Sequence, residues 1–133
     1  MSEKEWKLAE IVLLRALLQE RKTLPITIIS ESMAPLLPVG CRCTIAPVSY
    51  TEIKSFDLIV FFSEDKLVCH AVWAKQFLPA ANGERTLLTR GFNNAGFDYP
   101  VRESEIVARV SSHKMSKWQR LLFVLKARFP ILR

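Results

Sequence analysis

Apolar positions open the chain at helical spacing. Trp6, Ala9, Leu13 and Leu17 fall on one side, Leu14 and Leu18 widen the stripe, and the pattern predicts an amphipathic helix over 3–22. Ser2 is placed to cap it, Glu3 and Glu5 suit the positive end of its dipole, and Arg21, Lys22 and the nearby Pro25 mark its end. From residue 25 to 110 the period shortens. Runs rich in β-formers at 26–29, 42–46, 57–62, 66–73, 85–89 and 105–110 alternate with turn signals at 38–40, 63–65, 82–83 and 91–96. The run 57–62 is almost wholly apolar, as a strand buried on both faces would be. Helical spacing returns over 116–129, with Ser116 as N-cap, Pro130 as stop and Trp118, Leu122, Leu125 and Phe129 as the apolar stripe. Lys117, Arg120 and Arg128 lie off that stripe.

The pattern predicts a mainly β fold with flanking N-terminal and C-terminal α-helices. It forms one domain over 1–133, with a helix at 3–22, a β-rich core at 25–110 and a basic amphipathic helix at 116–129. A chain of 133 residues has room for one domain with a real core and is too short for two ordinary ones. Half the residues are apolar and 24% are charged, which excludes a disordered polar chain.

Charge changes the picture at one end only. The net charge is +6, yet residues 1–105 carry 12 basic and 13 acidic side chains. Arg109, Lys114, Lys117, Arg120, Lys126, Arg128 and Arg133 supply seven uncompensated positive charges after them. This reads either as a solvated helix face or as peripheral contact of residues 114–133 with an anionic membrane. No nucleic-acid motif accompanies the charge, so no nucleic-acid partner is expected. No cleavable signal sequence is visible, and the apolar stretch around residues 11–18 is interrupted by Arg15, too short to span a bilayer. These features predict a cytoplasmic protein, peripheral at the inner face of the membrane if it meets one. Three cysteines, Cys41, Cys43 and Cys69, fit free thiols in a reducing compartment. No cofactor or metal is expected: a zinc site made from these cysteines and His70 would need the adjacent Cys69 and His70 to point the same way from a strand.

The candidate chemistry sits between the first β-run and a proline-rich turn, at Ser30-Glu31-Ser32-Met33-Ala34-Pro35. Ser-Met-x-Pro there resembles the nucleophile motif of type I signal peptidases, whose β-rich catalytic fold is shared with the LexA-like self-cleaving repressors. Further segments follow in that family's order. Val39-Gly40 resembles its Gly-Asp turn, with Cys41 in place of the acid. Residues 55–61, Ser-Phe-Asp-Leu-Ile-Val-Phe, resemble its Gly-Asp-Ile-Val-Val-Phe strand. Residues 67–72, Leu-Val-Cys-His-Ala-Val, resemble the strand that carries His-Arg in the archaeal and endoplasmic-reticulum members. Residues 89–94 resemble Thr-Lys-Gly-Asp-Asn-Asn, and residues 98–101 and 106–110 its closing segments.

The resemblance, which covers about residues 28–110, implies a signal-peptidase/LexA-like fold and a serine endopeptidase. It would cleave an extended peptide or precursor protein after small residues. Ser32 is then the nucleophile and His70, 38 residues on, the base. Asp98 stands at the second acidic position of the His-type motif and completes a triad. The Ser32 backbone N–H and the Ser30 hydroxyl are the oxyanion donors. A serine hydroxyl needs such a base within hydrogen-bond reach, and an imidazole can serve at neutral pH without the desolvation a lysine needs. A third group improves the base by fixing its tautomer.

Read from the residues alone, His70 also fits a satisfied core position and Asp98 a turn cap. Three departures from the family, Cys41 for Asp, Ala71 for Arg and Phe92 for Asp, keep open a catalytically inactive module that binds an extended peptide by strand addition. A self-cleaving repressor fragment fits less well, because neither a DNA-binding helix pair nor a lysine base is present.

Overall fold

The computed structural model describes residues 3–64, 66–77 and 83–128, with side chains from Leu8 to Ala127 within those ranges. The elements run in the order helix α1 (Glu3–Arg21), β1 (Leu24–Thr27), β2 (Arg42–Ala46), β3 (Leu58–Ser63), β4 (Lys66–Phe77), β5 (Arg85–Arg90), β6 (Val101–Arg102), β7 (Ile106–Val110) and helix α2 (Lys117–Arg128). Among the described residues the strands form one seven-stranded sheet in the order β1-β2-β7-β3-β4-β5-β6, every pair antiparallel. The fold is mainly β with two helices, as the pattern predicts.

Alternation along the central strand β3 divides the core. Leu58, Val60 and Phe62 join one buried cluster, and Ile59 and Phe61 join the other. A strand flanked by neighbours and covered on both faces has no solvent side, which explains its unbroken apolar run. The larger cluster takes Ile11 and Leu18 of α1, Met33 and Leu37 of the loop after β1 and Phe123 of α2. The smaller gathers Ile53, Val72, Leu87, Val101 and Ile106.

Each helix docks along one side of the predicted stripe: Leu14 and Leu18 of α1 and Leu122 of α2 meet the core, while other stripe residues stay exposed. On α1 the buried residues are Ile11 and Leu18, one i,i+7 line, while Leu13 is 69% exposed. Arg15 lies beside that line and donates to the carbonyls of Ser104 (2.8 Å) and Ile106 (3.0 Å), so the residue that interrupts the apolar stretch ties α1 to the start of β7. Trp6, Ser2 and the acidic side chains of the first turn lie outside the described side chains. On α2 the docked residue is Phe123, with Leu122 partly buried beside it, whereas Trp118 is 67% exposed. Ser116 does cap α2: its Oγ accepts from the Gln119 N–H (3.2 Å), and its own N–H donates to Gln119 Oε1 (2.8 Å). Phe129, Pro130 and the Arg128 side chain lie outside the described residues.

Pro25, read as a mark of the end of the first helix, belongs to β1 opposite Thr44, so the strand starts two residues before the predicted run. β1 is an edge strand, where a residue without an N–H is tolerated. Its pairing continues past the strand, with the Ile28 N–H donating to Cys41 O (2.9 Å) and the Gly40 N–H to Ile28 O (2.8 Å). Strand β6 and the continuation of β4 to Phe77 went unread, because each is too short or too polar to carry a period.

The basic surplus is partly turned inward. Lys126 is only 8% exposed and places Nζ 4.5 Å from the Phe92 ring centroid. Arg120 lies 5.2 Å from the Phe56 ring, and Arg109 pairs with Asp57 at 3.3 Å. No helix among the described residues is long and apolar enough to cross a membrane.

Phe123 is the centre of the α2 contact. It stacks on Phe92 (6.3 Å, 10°), meets Phe56 edge-on (6.1 Å, 70°) and lies under the Arg90 guanidinium (4.2 Å). Phe123→Ala is expected to cost about 3–5 kcal/mol, the range for emptying a buried aromatic site. It should lower the denaturant midpoint at unchanged slope. An unchanged midpoint would mean that α2 does not dock through this ring.

Candidate active site

Ser32 stands on a 3-10 turn, Glu31–Met33, between the pairing of β1 and the chain that returns to β2. Three contacts hold that turn. Met33 is buried beneath it, and its Sδ accepts the Phe92 N–H at 3.2 Å. The Leu37 N–H donates to Met33 O (2.8 Å), and the Asn93 N–H donates to Ser32 O (2.8 Å). The peptide bond Ala34–Pro35 is cis. A buried anchor with backbone bonds on either side fixes Ser32 more closely than a free loop would.

His70 projects from β4, opposite Ile59 in the register with β3. It is buried, and the Phe61 ring meets the imidazole edge-on at 6.0 Å and 73°. Its Nε2 lies 3.1 Å from Ser32 Oγ, and its Nδ1 lies 2.5 Å from Asp98 Oδ2. Asp98 comes from the loop after β5. Its N–H donates to Thr89 O (2.9 Å), and its Oδ2 accepts the Thr89 hydroxyl (2.7 Å). Thr89 therefore positions the carboxylate through both backbone and side chain. Sequence reasoning gave it no role; its signal was its place at the head of the segment that resembles Thr-Lys-Gly-Asp-Asn-Asn.

Arg90 anchors the same loop from below. Fully buried, it donates to Asn94 O and to Phe123 O. It stands opposite Ala71 in the β4–β5 register, where the small residue leaves room for it. Phe92, which stands where the resembled motif has an acid, does not lie beside the imidazole. Phe92 is buried between Met33, Phe123 and Lys126, and Asp98 meets the imidazole's Nδ1 instead.

The structure thus brings Ser32, His70 and Asp98 into one hydrogen-bonded line. Ser30 lies beside it: the Ser32 N–H donates to Ser30 Oγ, and the Ser30 hydroxyl donates to Ser32 Oγ, each at 3.2 Å. The two predicted oxyanion donors thus face each other and Ser32 Oγ rather than a common point in space.

Gly91 lies where the two loops touch. A Cβ there would meet Ser32 O at 2.8 Å and Asn94 Nδ2 at 2.6 Å. Gly91→Ala is expected to push the Ser32 turn away from His70. A displacement of about 1 Å costs on the order of 100-fold in rate. A kcat/KM within about twofold of the parent would show that the loop absorbs the methyl group.

Cys43 and Cys69 are poorly suited to act as an alternative nucleophile. Burial pushes the Cys69 thiol up to about 12, and burial together with the Cys41 thiol pushes Cys43 up to about 11. Thiols so shifted stay protonated and unreactive near neutral pH. Cys69 packs against the larger core cluster while His70 turns to Ser32, so these neighbours do point apart.

No protein-family model, no curated protein and no solved structure matches the chain.

Proposed function

We propose that this chain is a serine endopeptidase of the signal-peptidase type, cleaving an extended peptide or precursor protein after small residues. The observation that carries the proposal is the unbroken contact from Ser32 Oγ through both nitrogens of His70 to Asp98. A core histidine needs one partner; a general base needs a nucleophile on one nitrogen and an orienting acceptor on the other.

In the proposed reaction Ser32 Oγ attacks the scissile carbonyl carbon and His70 Nε2 takes its proton. The tetrahedral oxyanion is received by the Ser32 N–H, and the Ser30 hydroxyl rotates away from the nucleophile to join it. His70 returns the proton to the leaving amine, the C–N bond breaks, and an acyl ester remains on Ser32. Water, deprotonated by His70, then releases the acid. The substrate strand has a place to pair. β1 is an edge of the sheet and runs toward Ser30, so a peptide can add its backbone there. Ile29 and Tyr99, the chain neighbours of Ser30 and Asp98, are 87% and 93% exposed and available to an extended ligand.

The test is a library of internally quenched peptides with cleavage sites read by mass spectrometry. Cuts clustered after alanine, glycine and serine are expected. Binding of peptides without any cleavage would favour the inactive module.

We also propose that contact with an anionic membrane, where it occurs, runs through exposed Trp118 and Leu121 beside Lys114 and Lys117. Co-sedimentation with anionic vesicles at low salt, lost in Trp118→Glu, is the expected result. Absence of binding by the parent chain would overturn it.

A further inference from the structure

A second cluster of chemically capable side chains lies outside the proposed active site. Cys41 ends the turn before β2, and Cys43 is the second residue of that strand, so the two share a face. Their sulfurs are 3.9 Å apart. His113, from the segment after β7, brings Nε2 to 3.8 Å from Cys41 Sγ, and all three ligand atoms lie within 4.8 Å of one another. We infer that Cys41, Cys43 and His113 form a binding site for a divalent cation of the zinc class.

The spacing matches that use. Zinc–sulfur bonds of about 2.3 Å and zinc–nitrogen bonds of about 2.0–2.1 Å at tetrahedral angles put sulfurs about 3.8 Å apart and sulfur about 3.6 Å from nitrogen. The two edges that meet at Cys41, 3.9 and 3.8 Å, are within a few tenths of an ångström of these values, and the third, from Cys43 Sγ to His113 Nε2, is no longer than 4.8 Å, so a cation could be received with side-chain shifts of about an ångström or less.

The backbone holds the ligands in place beforehand. The Ser111 N–H donates to Thr44 O (2.8 Å), and the Thr44 N–H donates to Ser112 Oγ (2.8 Å), which fixes the histidine segment against β2. Ser112 Oγ also lies 2.7 Å from His113 Nδ1. A proton held on Nδ1 by that oxygen leaves the Nε2 lone pair free for a metal, the outer-partner arrangement common to zinc-bound imidazoles.

The donor set selects the class of ion. Two cysteine sulfurs, which give up their protons to solvent as the metal binds, and an imidazole suit a borderline-soft cation, and among the described residues no carboxylate joins the cluster to hold calcium or magnesium. Three protein ligands leave a fourth position for water. Cys41 and His113 are half-buried rather than sealed, so the ion can reach the site. A bound ion would fasten the turn before β2 to the segment leading into α2. Cys41 stands where the resembled family has an acid, so this chain has a ligand at that position in place of a carboxylate.

The test uses the full reduced chain, stripped of metal and titrated with cobalt(II). One equivalent should give the visible bands of a tetrahedral site and a thiolate-to-cobalt charge-transfer band, both removed by zinc. Cys41→Ser and His113→Ala should each weaken binding by more than the roughly 100-fold that follows loss of an outer partner. Cys69→Ser should leave binding unchanged. Absence of the charge-transfer band in the parent chain, or a band that survives in both Cys41→Ser and His113→Ala, would overturn the assignment. Neither readout depends on peptide cleavage, so failure of the proposed activity leaves this test intact.

Discussion

Ser32→Ala is expected to lower peptide cleavage by about a million-fold, to the background rate, while changing affinity for an extended peptide by less than about twofold. The substitution removes one oxygen atom. It leaves Met33 in its buried seat and the Asn93 N–H on the Ser32 carbonyl, so the turn keeps its shape. The edge of β1, where the substrate backbone is proposed to pair, is not touched. A His70→Ala variant should lose a similar factor, because a neutral hydroxyl without a base is a weak nucleophile. The double variant should be no worse than either single one. Groups that act as one unit are not additive, since the second loss removes nothing that still works. Cleavage by His70→Ala within about tenfold of the parent would sink the mechanism, and unchanged cleavage by Ser32→Ala would assign the turnover to a contaminant.

Much of the architecture is legible in the chain because its signals are local. The apolar run of β3 predicts burial on both faces, and Ser116 with Gln119 closes the N-terminus of α2 within four residues. What the chain does not display is which side of each helix meets the sheet. On α1, Leu13 and Leu17 look as apolar as Ile11 and Leu18, and only the sheet's position selects between them. On α2 the apolar residues go nearly all the way round, and Phe123 is chosen by the aromatic partners Phe56, Phe92 and Trp73, which come from three separate parts of the chain.

The site shows the same division. Ser32, His70 and Asp98 carry their chemistry in their residue types and are readable through a resemblance spanning the β-core. Thr89 and Arg90 are not, because their importance lies in a hydrogen bond and a burial that exist only after folding. Phe92 shows the converse error. Judged by its place in a motif it takes an acid away from the site, yet as a large apolar side chain it lies apart from the polar groups and packs against α2. His113 was passed over for a like reason: seventy-two positions separate it from Cys41, and only the pairing of β2 with β7 brings the two together.

Asp98 gives the second large expected effect, and its partners predict an order among variants. Two donors converge on Oδ2: the Thr89 hydroxyl at 2.7 Å and, when it carries the proton, His70 Nδ1 at 2.5 Å. Asp98→Ala removes both the tautomer lock and the charge that stabilises the imidazolium, and should cost on the order of ten thousand-fold in kcat. Asp98→Asn differs. Its amide oxygen can take the place of Oδ2 and accept from both donors, which turns the NH2 group toward the partly exposed side. The correct tautomer is then kept and only the negative charge is lost. Asparagine should therefore fall between aspartate and alanine, with KM little changed in either variant. Adding Thr89→Val to Asp98→Asn removes the donor that holds the amide oxygen inward. The amide can then flip, present its NH2 to Nδ1 and force the wrong tautomer, so the double variant should drop to the alanine level. If asparagine alone is already as slow as alanine, the charge and not the tautomer is the contribution of this residue. If alanine itself retains cleavage within about tenfold, Ser32 and His70 work as a dyad and Asp98 only closes a turn.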